Sequence, residues 1–454
     1  MKPKEKLREH WGSRLGFLMA TAGSAVGLGS LWKFPYVTGQ NGGGLFVLAY
    51  LVFTLLIGIP IFLSEMMIGR TAERGPVGAF TSLGGKEKGW RFVGWSCVIV
   101  SFLVLSFYAV VSSWALNYSL LSLLNFTRGK NPEQIRQVFE NLYQASDINL
   151  LWTFLFLALT TGIVYRGIRK GIEFWSKILM PALFLILITL LLYSVTLEGF
   201  PEAFRFIFYP NVNKLSPTGL LQALGLACFT LSLGMGIIIT YGSYMQKSED
   251  IPKTAVIVAG IAVLVSLLAA LMIFPIIFTF NFPPEEGPGL LFKTLPVLFE
   301  KLPGSLLLST IFFLLVVFAA LTSTISIMEV LVATITETFG VSRGKGALIV
   351  GGIVFVVAIP SAASGSNGIF THWTEVYGMN FFDTLNDFCF TWLLPINALF
   401  IAFFAGWSLS KQVRKDGLLE GSSWAFFYPP WIFLVRWVVP LGILFIILQQ
   451  SGVV

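Results

Sequence analysis

Apolar residues run along this chain in eleven long blocks, at about 13–37, 42–69, 91–124, 148–166, 172–197, 216–245, 254–281, 303–337, 345–362, 378–410 and 427–450. Short polar or Gly/Pro-rich stretches separate them. A helix needs about 20 apolar residues to cross the hydrocarbon core of a bilayer. The pattern therefore predicts an all-α integral membrane protein with about eleven transmembrane helices. Blocks this long exclude a β-barrel, whose strands would be about ten residues with alternating polarity.

Two blocks are interrupted at mid-depth. Residues 22–35 read AGSAVGLGSLWKFP, with Gly23, Gly27 and Gly29 close together. Residues 229–236 read FTLSLGMG, with Gly234 and Gly236. Each glycine weakens a helix interior by about 1 kcal/mol relative to alanine. Unwound backbone in lipid costs several kcal/mol per unsatisfied group, so it persists only where it lines a cavity or meets a ligand. The interrupted blocks are the first and the sixth, the leading helices of two consecutive five-helix sets. Breaks at corresponding places in two halves point to a binding site built on an inverted repeat. Freed carbonyls there suit a small cation, and the N-terminal ends of half-helices suit an anionic group. The competing explanation is close helix packing through small residues. One break alone favours packing; the matched pair favours a site.

Composition adds exclusions. Only 12% of the residues are charged and 56% are hydrophobic, whereas a soluble chain is about 25% charged. Cys97, Cys228 and Cys389 are far apart, which gives neither a disulfide framework nor metal spacing. No nucleophile–base set, metal cluster or phosphate loop is present, so no enzyme is expected. The net charge of +7 is explained by its placement. With the N-terminus inside the cell, 21 of the 30 Lys and Arg residues fall in cytoplasmic segments and seven in the opposite loops. That asymmetry sets the orientation in the cell membrane and removes any need for a nucleic-acid partner. The basic N-terminus precedes an apolar run too long for a cleavable signal. The loop at 282–302, NFPPEEGPGLLFKTLP, mixes apolar residues with Gly and Pro and is expected to fold back onto the protein.

The segments GSAVGLGSLWKFPY, QNGGGLF, GIPIFLSEMMIGR, FTLSLGMGIIITYGSY and ALTSTISIMEV resemble the motifs of the neurotransmitter:sodium symporter family, in order and at the expected distances. The resemblance runs from Arg8 to about residue 410. It implies the leucine-transporter-like fold: a single transporter domain over 1–410, with repeats at about 13–197 and 216–410. A cytoplasmic loop and an additional eleventh helix follow over 411–454. It also implies sodium symport by alternating access, with a small-molecule substrate. Its substrate pocket falls on Ala25, Leu28, Gly29, Val104, Tyr108 and Phe229, and on Thr230, Ser232, Met235, Ser323 and Ile327. Tyr108 would donate its hydroxyl to a substrate carboxylate, and Phe229 would cover the ligand. Gly27 stands where monoamine transporters carry Asp, so a substrate bringing its own carboxylate, a neutral hydrophobic amino acid, is expected.

One of the family's sodium sites falls on Gly23, Val26, Ala319, Thr322 and Ser323. The other would use Ala25, Ser30 and Thr230. There Ser30 replaces an Asn, and Ala262 replaces an Asn or Asp. Because cation affinity follows the charge and number of ligands, that second site is expected to be weak or absent. Its erosion leaves open a substrate without a carboxylate. Ser266 matches a position tied to chloride dependence, but Leu226 replaces the family's Gln, and chloride is not expected. The cytoplasmic gate falls on Arg8, Trp11 and Glu337. The outer gate falls on Lys33 with Asn380, or with Asp383 as the alternative partner. Glu65 is an intramembrane carboxylate that braces the broken helices in the family; Glu329 would snorkel or brace a helix. A non-transporting ligand sensor on the same fold is the competing function.

Overall fold

The computed structural model describes residues 9–85, 89–210, 215–283, 287–366 and 371–450. Among them the regular structure is helical throughout. Nine helices are long and apolar enough to span a bilayer: α3 (Gly44–Ala72), α4 (Trp90–Leu123), α5 (Ser146–Tyr165), α6 (Ile168–Val195), α9 (Ile251–Thr279), α10 (Ser305–Phe339), α11 (Arg343–Ala362), α12 (Phe381–Ser408) and α13 (Ala425–Gln449). The first block is a bent pair, α1 (Arg14–Ala25) and α2 (Gly29–Gln40), that meet at 45°. The expected span at 216–245 is divided into α7 (Pro217–Thr230) and α8 (Ile237–Gly242). Neither piece crosses a bilayer by itself. Eleven apolar blocks thus become nine long helices and two broken ones, the first and the sixth.

The breaks lie at the centre of the bundle. The inner faces of α1 and α8 are wholly buried, and α1 packs on α6, α9 and α10 while α8 packs on α3. Small residues along AGSA let these backbones approach. The two longest helices, α4 and α10, lie along each other beside them. Large apolar side chains such as Leu185, Leu192, Leu307 and Val356 face outward, as a lipid-facing wall requires.

Arg436, an arginine inside α13, has a local purpose. Its Nε donates to Gly406 O at 2.8 Å, and Arg414 Nη1 donates to the same carbonyl at 2.8 Å and to Leu409 O at 2.6 Å. Two cations thereby satisfy the unpaired carbonyls at the C-terminal end of α12, where the helix dipole favours them. In the 282–302 loop, the described stretch 287–302 does fold back. Its helix Thr294–Glu300 buries Leu295, Val297, Leu298 and Phe299, and Phe292 meets Tyr118 and Phe313.

Candidate functional site

In the first break the last turn of α1 closes with Val26 N–H donating to Ala22 O at 2.8 Å. The carbonyls from Gly23 to Val26 are therefore released from the helix ladder. Ser24 O accepts from Ser232 Oγ at 2.9 Å and from Ser323 Oγ at 3.3 Å. Leu28 N–H, also freed, donates to Tyr108 Oη at 2.9 Å. A Cβ on Gly27 would lie 2.2 Å from Ser323 Oγ and 2.8 Å from Tyr108 Oη. The two hydroxyls converge on the bare Cα of this glycine.

In the second break, Ser232, Gly234 and Gly236 all take positive φ, at 56°, 77° and 72°. Ser232 is the exceptional one, since left-handed backbone in a non-glycine residue stores about 1–3 kcal/mol. Its side chain holds the other break, donating to Ser24 O and accepting from Ser24 Oγ at 3.1 Å. Glu65 is fully buried and accepts Gly234 N–H at 2.7 Å. Ser101 Oγ donates to Met235 O at 2.6 Å. The freed peptides of both breaks are thus met by side chains from neighbouring helices.

Between the breaks lies a narrow pocket. Of the expected pocket residues, Ala25, Gly29, Tyr108, Phe229, Thr230, Ser232, Met235, Ser323 and Ile327 line it. Ser24, Gly27 and Ile237 join them. Leu28 instead lines a second pocket, on the expected outer side, with Trp32, Lys33, Asp383 and Phe390. Val104 is buried but lines neither cavity. Phe229 and Tyr108 belong to both, so they form the wall between them. Phe229 is seated against Gly29, where a Cβ would come within 2.8 Å of its ring, and is covered from outside by Phe390 at a centroid distance of 4.2 Å.

The first ion set comes together across α1 and α10. Thr322 faces Gly23, whose Cβ would sit 3.2 Å from Thr322 Cβ. Thr322 Oγ1 donates to Ala319 O at 3.0 Å and Phe318 O at 3.2 Å. A hydroxyl that donates backward along its helix keeps its lone pairs, and the adjacent Ser323 reaches the released carbonyl of Ser24. This all-oxygen donor set fits a small hard cation. The second set fits less well. Ser30 Oγ donates to Ala25 O at 3.3 Å, and Thr230 Oγ1 is engaged with Tyr50 Oη at 3.1 Å. Ala262 offers only a carbonyl, which accepts from Ser266 Oγ at 2.9 Å. Ser30 and Ala25 bond to each other, and Thr230 and Ala262 are engaged by Tyr50 and Ser266.

At the expected cytoplasmic gate, Trp11 is buried in the bundle. Its Nε1 donates to Tyr241 O at 3.1 Å, its backbone N–H to Tyr244 O at 3.2 Å, and its ring meets Tyr241 edge-on. Arg8 lies outside the described residues. Glu337 accepts Gly75 N–H at 2.9 Å, ahead of helix Pro76–Leu83. Glu329 braces rather than snorkels: fully buried, it takes Arg343 in a bidentate pair at 2.5 and 2.9 Å and Tyr244 Oη at 2.6 Å.

The outer gate needs a correction. Asn380 does not reach Lys33. It caps α12, accepting Asp383 N–H at 2.8 Å while its amide meets the Asp383 carboxylate at 2.6 Å. Capping the first turn uses both ends of the amide. Asp387, one turn further along α12, is near enough for its charge to be felt at Lys33, but the two form no ion pair, and Asp387 accepts from Thr391 Oγ1 at 2.7 Å. Lys33 Nζ also sits 3.9 Å from the centroid of Phe390 and 5.4 Å from that of Phe229. Asp383 shares the outer cavity with Lys33. Sequence reasoning missed Ser24, Asp387, Phe390 and Ser101. Only Asp387 carried a signal, its i+4 spacing from Asp383.

The sequence pattern of the sodium:neurotransmitter symporter family matches residues 8–137 and 132–451. The chain belongs to that family. It is a multi-pass membrane protein and a sodium-dependent transporter, not an enzyme. The transporter is 40% identical over 445 residues to the uncharacterized sodium-dependent transporter YhdH of Bacillus subtilis, a match covering 98% of each chain. It is 34% identical over 462 residues to an uncharacterized sodium-dependent transporter of Haemophilus influenzae, covering 99% of this chain and all of that one. Among solved structures it is similar to MhsT in complex with L-phenylalanine, with a TM-score of 0.89 and 40% identity. That match covers 97% of this chain and 99% of MhsT.

Proposed function

We propose that the transporter imports a neutral, hydrophobic amino acid down an inward sodium gradient by alternating access. The observation that carries this reading is the lining of the pocket between the two breaks. Its wall is mostly apolar, its polar groups are backbone and hydroxyls, and no carboxylate lines it. A bare amine would have no counter-ion there. A zwitterion brings its own: its carboxylate meets the Tyr108 hydroxyl proton and the start of α2, and its ammonium meets released carbonyls. The phenylalanine complex of MhsT supports the same class.

One sodium is held by Gly23, Val26, Ala319, Thr322 and Ser323. The second, at Ala25, Ser30 and Thr230, is weak or absent, and chloride takes no part. Outer closure is by Phe229 and Tyr108 under Lys33, Asp387 and Phe390; inner release is past Trp11, Glu337 and Arg8. In this reading the N-terminus is cytoplasmic in the cell membrane, residues 1–410 form one transporter domain with repeats at about 13–197 and 216–410, and 411–454 add a loop and the last helix. The engagement of Ser30 with Ala25 O and of Thr230 with Tyr50 also favours a second reading, a sodium-coupled substrate without a carboxylate, since no ion there would face that group.

The test is uptake by purified protein in liposomes, with and without an imposed sodium gradient, of a panel of hydrophobic amino acids and their amides. Sodium-driven uptake of a free acid supports the first reading. Uptake of amides alone supports the second. No sodium-dependent flux or binding of any of them overturns both.

A further inference from the structure

Gly234 sits in the middle of the second break, and both of its peptide groups are held by side chains. Its N–H goes to Glu65 of α3. Its carbonyl is taken by Asn397 of α12, whose Nδ2 donates at 2.8 Å. Asn397 is fully buried. The other end of its amide accepts from Ser96 Oγ of α4 at 2.6 Å. This orientation is forced, because Gly234 O can only accept and so must face the NH₂ group. The approach is also close: a Cβ on Gly234 would lie 2.8 Å from Leu394 O and 3.4 Å from Asn397 Cβ. The backbone of α12 therefore rests on the break itself.

The same helix carries the outer lid. The charge of Asp387 is felt at Lys33, and Phe390 covers Phe229. Phe390 itself lies in a π-helical turn of α12, Phe388–Leu393, that separates Asp387 from Asn397, the kind of local widening that a helix can gain or lose at a functional site. On the other side, Ser232 ties the break to Ser24, whose neighbours Gly23 and Val26 belong to the proposed sodium site. A continuous set of contacts thus runs from the ion site through Ser24, Ser232 and Gly234 to Asn397 and the lid.

We infer that Asn397 is a positioning residue that couples the conformation of the 231–236 break, and through it sodium occupancy, to the outer lid on α12. An apolar residue of the same size there would leave Gly234 O unpaired and free the lid half of α12 from the break. The inference rests on the sodium-coupled reading above.

The test is hydrogen–deuterium exchange of the full-length transporter in detergent, in sodium against potassium chloride, with a thermal melt of each variant. In the wild type, sodium should slow exchange in 231–236 and in 381–393 together. In Asn397→Leu, 231–236 should still respond while the response of 381–393 falls about fivefold or more, a typical coupling. Ser96→Ala should shift it the same way, more weakly, and the double variant should not exceed Asn397→Leu. A merely structural role predicts a lower melting temperature with both segments still responding together, and that result overturns the inference. A wild type in which sodium protects neither segment overturns the sodium reading, and the inference with it.

Discussion

The backbone N–H of Leu28 and the hydroxyl of Tyr108 are joined at 2.9 Å across the first helix break. The phenol accepts there, so its own proton remains free for another acceptor in the pocket that Tyr108 lines. One side chain therefore holds the unwound backbone in place and presents a donor to the substrate. Tyr108→Phe keeps the ring but strands a buried N–H and removes the donor. Loss of one partner from a buried hydrogen bond costs about 1–3 kcal/mol. Substrate KM in sodium-driven uptake should rise roughly 10- to 100-fold, with the melting temperature lowered only modestly. An unchanged KM would remove Tyr108 from the substrate site.

Thr322 and Ser323 bear on sodium. The Ser323 hydroxyl donates to the released carbonyl of Ser24 and Thr322 packs against Gly23, and a hard cation loses affinity with each oxygen ligand removed. Thr322→Ala with Ser323→Ala should abolish the sodium dependence of binding and uptake. Titration of substrate binding against sodium at constant ionic strength checks this. Full sodium dependence in the double variant would place the coupling ion elsewhere.

Gly27 gives a sharper version of the same test. A methyl group there collides first with Ser323 Oγ, at 2.2 Å, and then with Tyr108 Oη, at 2.8 Å. A serine hydroxyl can rotate away, but only by giving up Ser24 O. Gly27→Ala should therefore mimic Ser323→Ala, raising the half-saturating sodium concentration by a similar factor. The double variant should be little worse than either single one, because contacting residues are not additive. Independent, multiplying effects would show that the methyl acts on something other than Ser323.

The breaks were legible in sequence because a glycine cluster at mid-depth in an apolar run has no cheap explanation in lipid. The span lengths and the inward-folded loop were legible for similar reasons. The surroundings of Lys33 were not. Asn380 and Asp387 lie within one short polar stretch, and which of them comes near Lys33 depends on where α12 starts. The cap that starts it, Asn380 on Asp383 N–H, is fixed only once the preceding chain is folded. Ser24 and Asn397 were invisible for another reason. Their partners, Ser232 and Gly234, lie 208 and 163 residues away, and a lone Ser or Asn in an apolar run carries no mark of what it meets.

Glu329 and Arg343 supply the last prediction. Glu329 is wholly buried in α10, and its two oxygens are taken by the fork of Arg343, at the start of α11, and by Tyr244 Oη. The pair fixes α10 to the end of the α8 segment directly beneath Trp11, since Trp11 N–H bonds to Tyr244 O. Removing one partner of a buried pair costs about 3–5 kcal/mol, because the remaining charge is left unpaired. Arg343→Met should lower the melting temperature by several degrees and open the cytoplasmic side, measured as faster labelling of an engineered cysteine at Gly12. Arg343→Lys keeps the charge but not the bidentate fork, so it should fall between the two. Glu329→Gln with Arg343→Met removes both charges and should recover much of the lost stability. If it melts no higher than Arg343→Met alone, the unpaired carboxylate is not the source of the loss, and the brace works by packing.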